Sequence, residues 1–250
     1  DDFIQLLPGM HNGNVFPFTN SSINAGSGND IVRVTTLASS SSANSFSLSS
    51  GIETLQFVTQ AGGSFDGAST GANTAGDAGA GIGTYYFISG VGTGNDLLMT
   101  NMANNVTIRD NLNYGGTDGD DITLTGGPTA TLQFDGNIAT TTKGILTVDT
   151  TQTLNLVGTN NLPFGGVTTL NFTELNSASA LTTLNLSGNF NMSFGSSVNA
   201  PNLATVNASG LTGNLNLVLD DVVDGVITVT SGSGDDTITL NDDASTLNAD

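Results

Sequence analysis

The chain has 250 residues, 33 of them glycine, and a formal net charge of −19, because 20 Asp and two Glu face only Arg33, Arg109 and Lys143. Three cations cannot build the basic surface that a nucleic-acid partner needs, and a chain without Cys cannot be a disulfide-stapled fold. No run of about 20 apolar residues offers a helical membrane span, yet 37% hydrophobic residues suffice for a packed core.

The surface helix formers Glu, Lys, Arg and Gln are too few to cover one amphipathic helix, so the elements predicted along the chain are strands. Residues 1–24 stand apart. They hold Pro8, Pro17, the single His11 and the apolar cluster Leu6, Leu7, Phe16 and Phe18, and are expected to form an N-terminal cap or small subdomain. The opening Asp1-Asp2-Phe3-Ile4 is not a secretory leader, and the chain stops inside an alternating pattern; the expectation is a mature fragment or one piece of a longer chain. Residues 25–250 read as one repetitive body.

Within that body, period-two alternation recurs in runs of about five residues bounded by Gly, Asn, Asp or Ser. Ile31–Val34, Ile52–Phe57, Thr129–Phe134 and Thr153–Val157 are the clearest. Residues 61–83 carry only Phe65 and Ile82 as large apolar groups and are expected to be a long surface loop or insertion. The clearest repeats lie in 150–250. There Val167–Phe172, Leu181–Leu186 and Leu203–Ala208 share the order apolar, two small residues, apolar, Asn, with starts 14 and 22 residues apart. Similar short strands joined by turns of variable length predict an all-β parallel β-solenoid, whose stacked Asn residues would form amide ladders. An antiparallel sandwich of similar composition is the alternative.

One motif stands above composition. Gly26-Ser-Gly28-Asn-Asp30, Gly92-Thr-Gly94-Asn-Asp96 and Gly232-Ser-Gly234-Asp235-Asp236 obey G-x-G-x-D followed by an apolar residue two places on. Gly116-Thr-Asp118-Gly-Asp120-Asp121 fits with Asp for the second Gly. Roughly 0.1 full matches are expected from such a composition. Glycines let the backbone aim its carbonyl oxygens inward, and the Asp adds a carboxylate on the same side. That donor set suits Ca²⁺, which takes about six to eight oxygens; Zn²⁺ is poorly served by one His and no Cys. The candidate metal-binding residues are therefore Gly26, Gly28, Asp30, Gly92, Gly94, Asp96, Gly116, Asp118, Asp120, Asp121, Gly232, Gly234, Asp235 and Asp236, with Asp220, Asp221, Asp224 and Asp243 as further carboxylates nearby.

These turns resemble the calcium-binding nonapeptide of the RTX (repeat-in-toxin) family. The copies are isolated instead of tandem; only Val229, Ile238 and Leu247 keep a nine-residue step. Scattered among Thr-Leu-Asn-Leu strands, and joined by Gly51-Ile52-Glu53-Thr54-Leu55, the turns give the chain a pattern similar to calcium-dependent surface-layer (S-layer) proteins of Gram-negative bacteria. That resemblance implies type I secretion, an extracellular location at the cell surface, Ca²⁺-dependent folding, self-assembly into an array and contact with cell-surface polysaccharide. It implies no enzyme activity. Two alternatives stay open: a calcium-stabilised adhesin, ice- or glycan-binding solenoid, and a polysaccharide-active β-helix enzyme. The first would display rows of Thr, which Thr140-Thr141-Thr142 and several Thr-x-Thr pairs permit, but the Thr spacing is irregular and predicts no clean array. Arg33 is expected to pair with a nearby Asp.

Overall fold

The computed structural model describes residues 1–6, 23–34, 51–57, 63–66, 83–87, 97–102, 106–111, 121–136, 140–160, 168–177, 180–241 and 245–249. Within these residues there is no helix, and every strand pairing is parallel. Parallel strands cannot be joined by tight hairpins. The chain solves this by coiling, from one sheet to the other and back.

An 11-stranded sheet runs β1 (Phe3–Leu6), β2 (Ile31–Val34), β3 (Thr54–Phe57), β5 (Thr84–Phe87), β7 (Val106–Asn111), β9 (Thr129–Asp135), β11 (Thr153–Thr159), β13 (Thr183–Gly188), β15 (Thr205–Leu211), β17 (Gly225–Thr230) and β19 (Ser245–Ala249). Facing it is an 8-stranded sheet of β4 (Gly63–Asp66), β6 (Leu97–Met102), β8 (Ile122–Gly126), β10 (Thr140–Val148), β12 (Thr169–Asn176), β14 (Asn191–Asn199), β16 (Leu215–Asp221) and β18 (Thr237–Leu240). From β3 onward odd strands belong to the first sheet and even strands to the second. This is the parallel β-solenoid expected from the repeats; among the described residues no strand pairing is antiparallel.

Alternation explains the core. Along β11 the burial pattern strictly alternates, with Leu154 and Leu156 buried and Thr153, Asn155 and Val157 half-buried. The same positions on adjacent rungs hold Ala130 and Leu132, then Leu184 and Leu186. Across the interior, Phe172 and Phe194 are in register and stack at 5.7 Å, and Phe134 from the opposite sheet meets Phe172 edge-on at the same centroid distance. All these side chains belong to one continuous cluster. Lys143, in register with Phe172, lies 1% exposed among them.

Register corrects the reading of the repeat. Asn185 and Asn207 are partners in the 11-stranded sheet, whereas Asn171 lies in β12 of the other sheet. The 14-residue step is thus a half-turn and the 22-residue step a full one. The nine-residue step through Val229, Ile238 and Leu247 likewise crosses from sheet to sheet. An amide ladder does form: Asn185 Nδ2 donates to Asn155 Oδ1 at 2.8 Å, and Asn155 Nδ2 to Thr131 Oγ1 at 3.2 Å.

Two further segments differ from expectation. Phe3–Leu6, inside the expected cap, is the first strand of the large sheet, paired with Ile31–Val34; residues 7–22 lie outside the described residues. Gly63–Asp66, inside the expected loop, is β4, paired with β6, while residues 67–82 lie outside them.

The outward face of the 11-stranded sheet carries two columns that the sequence hides. One runs Thr129, Thr153, Thr183, Thr205, Thr228, and the other Thr131, Asn155, Asn185, Asn207, Thr230. The second continues through Thr107, Thr84 and Thr54. Partners are 20 residues apart from Thr228 to Asn248 but 30 apart from Thr153 to Thr183. Irregular in sequence, the Thr residues are regular in space.

Candidate cation site

Asp30 closes the first glycine turn and stands immediately before β2. Gly26 and Gly28 have φ of +92° and +144°, in the region that side-chain-bearing residues rarely adopt, so both positions require glycine. The turn delivers Asp30 into the stack, where it is 1% exposed. Its Oδ1 accepts the Asp2 N–H of the preceding rung at 2.5 Å, and its own N–H donates to Glu53 Oε2 of the following rung at 2.6 Å. Backbone bonds from Ile31 N–H to the Asp2 carbonyl and from Glu53 N–H to the Asp30 carbonyl fix the same alignment.

Asp2, Asp30 and Glu53 therefore occupy one position on three successive rungs, each just before its strand. Rungs lie about 4.8 Å apart, so these three acidic residues are stacked in register. Asp30 Oδ2 is fully buried and has no hydrogen-bond partner. A buried carboxylate oxygen left without a donor carries a large desolvation cost, which a cation, a hydrogen-bond donor or a proton would remove. A carboxylate oxygen is the donor type that a hard cation such as Ca²⁺ takes. Among the described residues no group of three or more His, Cys, Asp or Glu side chains converges as a ready metal cage. A cation here would draw its remaining ligands from backbone oxygens and water.

The last glycine turn is built differently. Asp236 stands immediately before β18, and both of its oxygens are taken: Oδ1 accepts the Leu215 N–H of the preceding rung at 2.8 Å, and Oδ2 the Gly232 N–H at 3.1 Å. A Cβ at Gly232 would overlap the Leu211 carbonyl oxygen, and one at Gly234 would sit 2.5 Å from the Gly213 carbonyl oxygen. Glycine serves here for close approach between rungs. Asp235 is exposed, and its N–H donates to Asn214 Oδ1 at 2.9 Å. Asp121, just before β8, accepts the Ile145 N–H of the next rung at 2.7 Å.

Of the remaining candidates, Gly92, Gly94 and Asp96, together with Gly116, Asp118 and Asp120, lie outside the described residues, as does Asp243. Asp220, Asp221 and Asp224 are exposed on and after β16. Asp221 and Asp149 line a cleft of about 310 Å³ with Asn176, Ser177, Asn199 and Pro201. Asp2 and Glu53 were not among the sequence-derived site residues. Their signal was present: each is an acid immediately before an alternating run, Phe3-Ile4-Gln5-Leu6 and Thr54-Leu55-Gln56-Phe57.

Both arginines serve the outer face. Arg33 donates through Nε and Nη2 to Gln56 Oε1 at 3.0 and 2.9 Å and covers the Phe3 ring at 4.7 Å. Its partner is an amide oxygen, in place of the expected Asp. Arg109 pairs with Asp135 Oδ2 at 2.7 Å and lies 4.4 Å over Tyr86. No described helix is long and apolar enough to cross a membrane. Compared with protein-family models, curated proteins and solved structures, the chain matches none.

Proposed function

We propose that the chain is a non-enzymatic structural solenoid of the extracellular surface, which binds Ca²⁺ at its glycine turns and assembles with copies of itself into a surface layer or comparable array. The observation that carries this reading is Asp30: a buried carboxylate oxygen without a donor, in a G-x-G-x-D turn, in register with Asp2 on the preceding rung and Glu53 on the following one. The charge of −19 is consistent with it, because so acidic a chain resists self-association until bound cations reduce its charge. The resemblance of the motifs to RTX-type surface-layer proteins supplies the location, the array and a cell-surface polysaccharide as second partner.

Extracellular calcium sites bind at about 10⁻⁴–10⁻³ M. A single site at ten times its Kd adds about 1.4 kcal/mol of stability. Melting followed by circular dichroism should therefore rise from EDTA to millimolar CaCl₂, and electron microscopy of the same samples should show a periodic sheet or filament only with calcium. Identical melting and identical particles in both conditions would overturn the reading. Turnover of a polysaccharide panel would replace it with an enzyme.

A further inference from the structure

We propose that the outward Thr/Asn columns of the 11-stranded sheet form a face that binds ice. This goes beyond the calcium reading and does not depend on it. On five consecutive rungs the pairs Thr129 and Thr131, Thr153 and Asn155, Thr183 and Asn185, Thr205 and Asn207, and Thr228 and Thr230 stand two residues apart in the sequence and in register across strands. Each is at least partly exposed. The protein has 22 acidic residues, yet these ten positions hold no charge and no aromatic ring. What they hold is hydroxyls, methyls and amides.

Strand geometry sets the array: about 4.8 Å from rung to rung and about 6.6 Å from a residue to the second one after it. These two repeats are close to oxygen repeats of the ice lattice, in a face that offers hydrogen-bonding groups alternating with methyls. A single ion or sugar would use one or two rungs and gives no reason for five. Only a periodic partner engages them all at once, converting weak contacts into firm attachment.

The face is also ordered before anything binds. Thr is stiff at χ1, and the amides are tied by the bonds from Asn185 to Asn155 and from Asn155 to Thr131. Little rotamer freedom remains to be lost on binding. A second copy is a poorer occupant. It would strip water from hydroxyls without donors aimed at them. Ice removes no such water: the molecules already held at the hydroxyls become part of its lattice.

The test uses the 250-residue chain with calcium, watched by microscopy in undercooled and in partly frozen solution. The expected result is faceted, slowly growing crystals and arrested recrystallisation. The double variant Thr153→Lys, Thr183→Lys should lose both effects while its melting curve stays cooperative, and Thr239→Lys, exposed on the 8-stranded sheet, should keep them. Thr183→Tyr, a good strand former bulky enough to hold a crystal plane away, serves if the lysine pair prevents folding. Ice grown with the unaltered chain that looks like ice grown with albumin overturns the proposal, and so does a folded face variant that retains activity. A face variant that changes oligomer size with no effect on ice assigns the columns to contact between copies, and likewise overturns it.

Discussion

Asp30 and Asp236 end the same motif and hold different environments. Both sit one residue before a strand and reach back to an amide of the preceding rung. Asp236 then uses its second oxygen on Gly232, while Asp30 leaves its second buried and alone. The motif is visible in the sequence as a turn, but which amide each carboxylate meets depends on the register of the neighbouring rung, which no spacing within the motif encodes. The difference makes opposite expectations for two similar substitutions. Asp236→Ala orphans the Leu215 and Gly232 amides and should cost about 1–3 kcal/mol with or without calcium. Asp30→Asn keeps an acceptor for the Asp2 amide and removes a buried charge whose ion-pair partner is the exposed N-terminal ammonium of Asp1 at 3.7 Å, a weak pair in water, so metal-free stability should change little. What it should lose is the calcium increment. Thermal melts of both variants in EDTA and in CaCl₂ check this; an Asp30→Asn protein as calcium-responsive as the unaltered chain would place the ion elsewhere.

Each strand of the solenoid packs on its rung neighbours and on the facing sheet, and on little else. Alternation such as Thr153-Leu154-Asn155-Leu156 was enough to recognise the strands and their inner faces, because burial follows period two wherever one face meets the core. The sequence did not reveal the two sheets. The template shared by Val167–Phe172 and Leu181–Leu186 looks like one repeat, although the two copies lie on opposite walls, since both walls demand the same apolar inner positions. Nor did it reveal the Thr columns, because turns of unequal length scatter residues that the hydrogen-bonded register brings together. Architecture of this kind gives local consequences, as stability is close to a sum over neighbouring rungs. Leu156, fully buried between Leu132 and Leu186, is a suitable probe. Leu156→Ala should cost about 2–5 kcal/mol. Hydrogen exchange should accelerate in β9, β11 and β13 and stay unchanged in β1 to β3. Uniform acceleration along the chain would show that the stack unfolds as a single unit.

Across the molecule, charge sets the conditions for folding. Arg109 neutralises Asp135, Arg33 turns to an amide and a ring, and Lys143 is buried in the core. The side-chain cations are thus committed to local structure, and the acidic residues Asp2, Asp30 and Glu53, in register on three rungs, have only the exposed N-terminal ammonium, 3.7 Å from Asp30 Oδ1, to offset their repulsion. Screening by salt acts over a Debye length of about 10 Å at 0.1 M. Neighbouring rungs are about 4.8 Å apart, well inside that distance, so monovalent salt weakens repulsion between distant turns and barely touches repulsion within a column. A directly coordinated divalent ion cancels it at the source. Melting temperature should therefore climb gently with NaCl and more steeply with CaCl₂ at matched ionic strength. MgCl₂ should fall between them, because Mg²⁺ keeps its waters and demands a stricter octahedron than these turns offer. If the three salts gave one curve against ionic strength, the acidic turns would be a diffuse negative surface and the coordination sites would have to be abandoned.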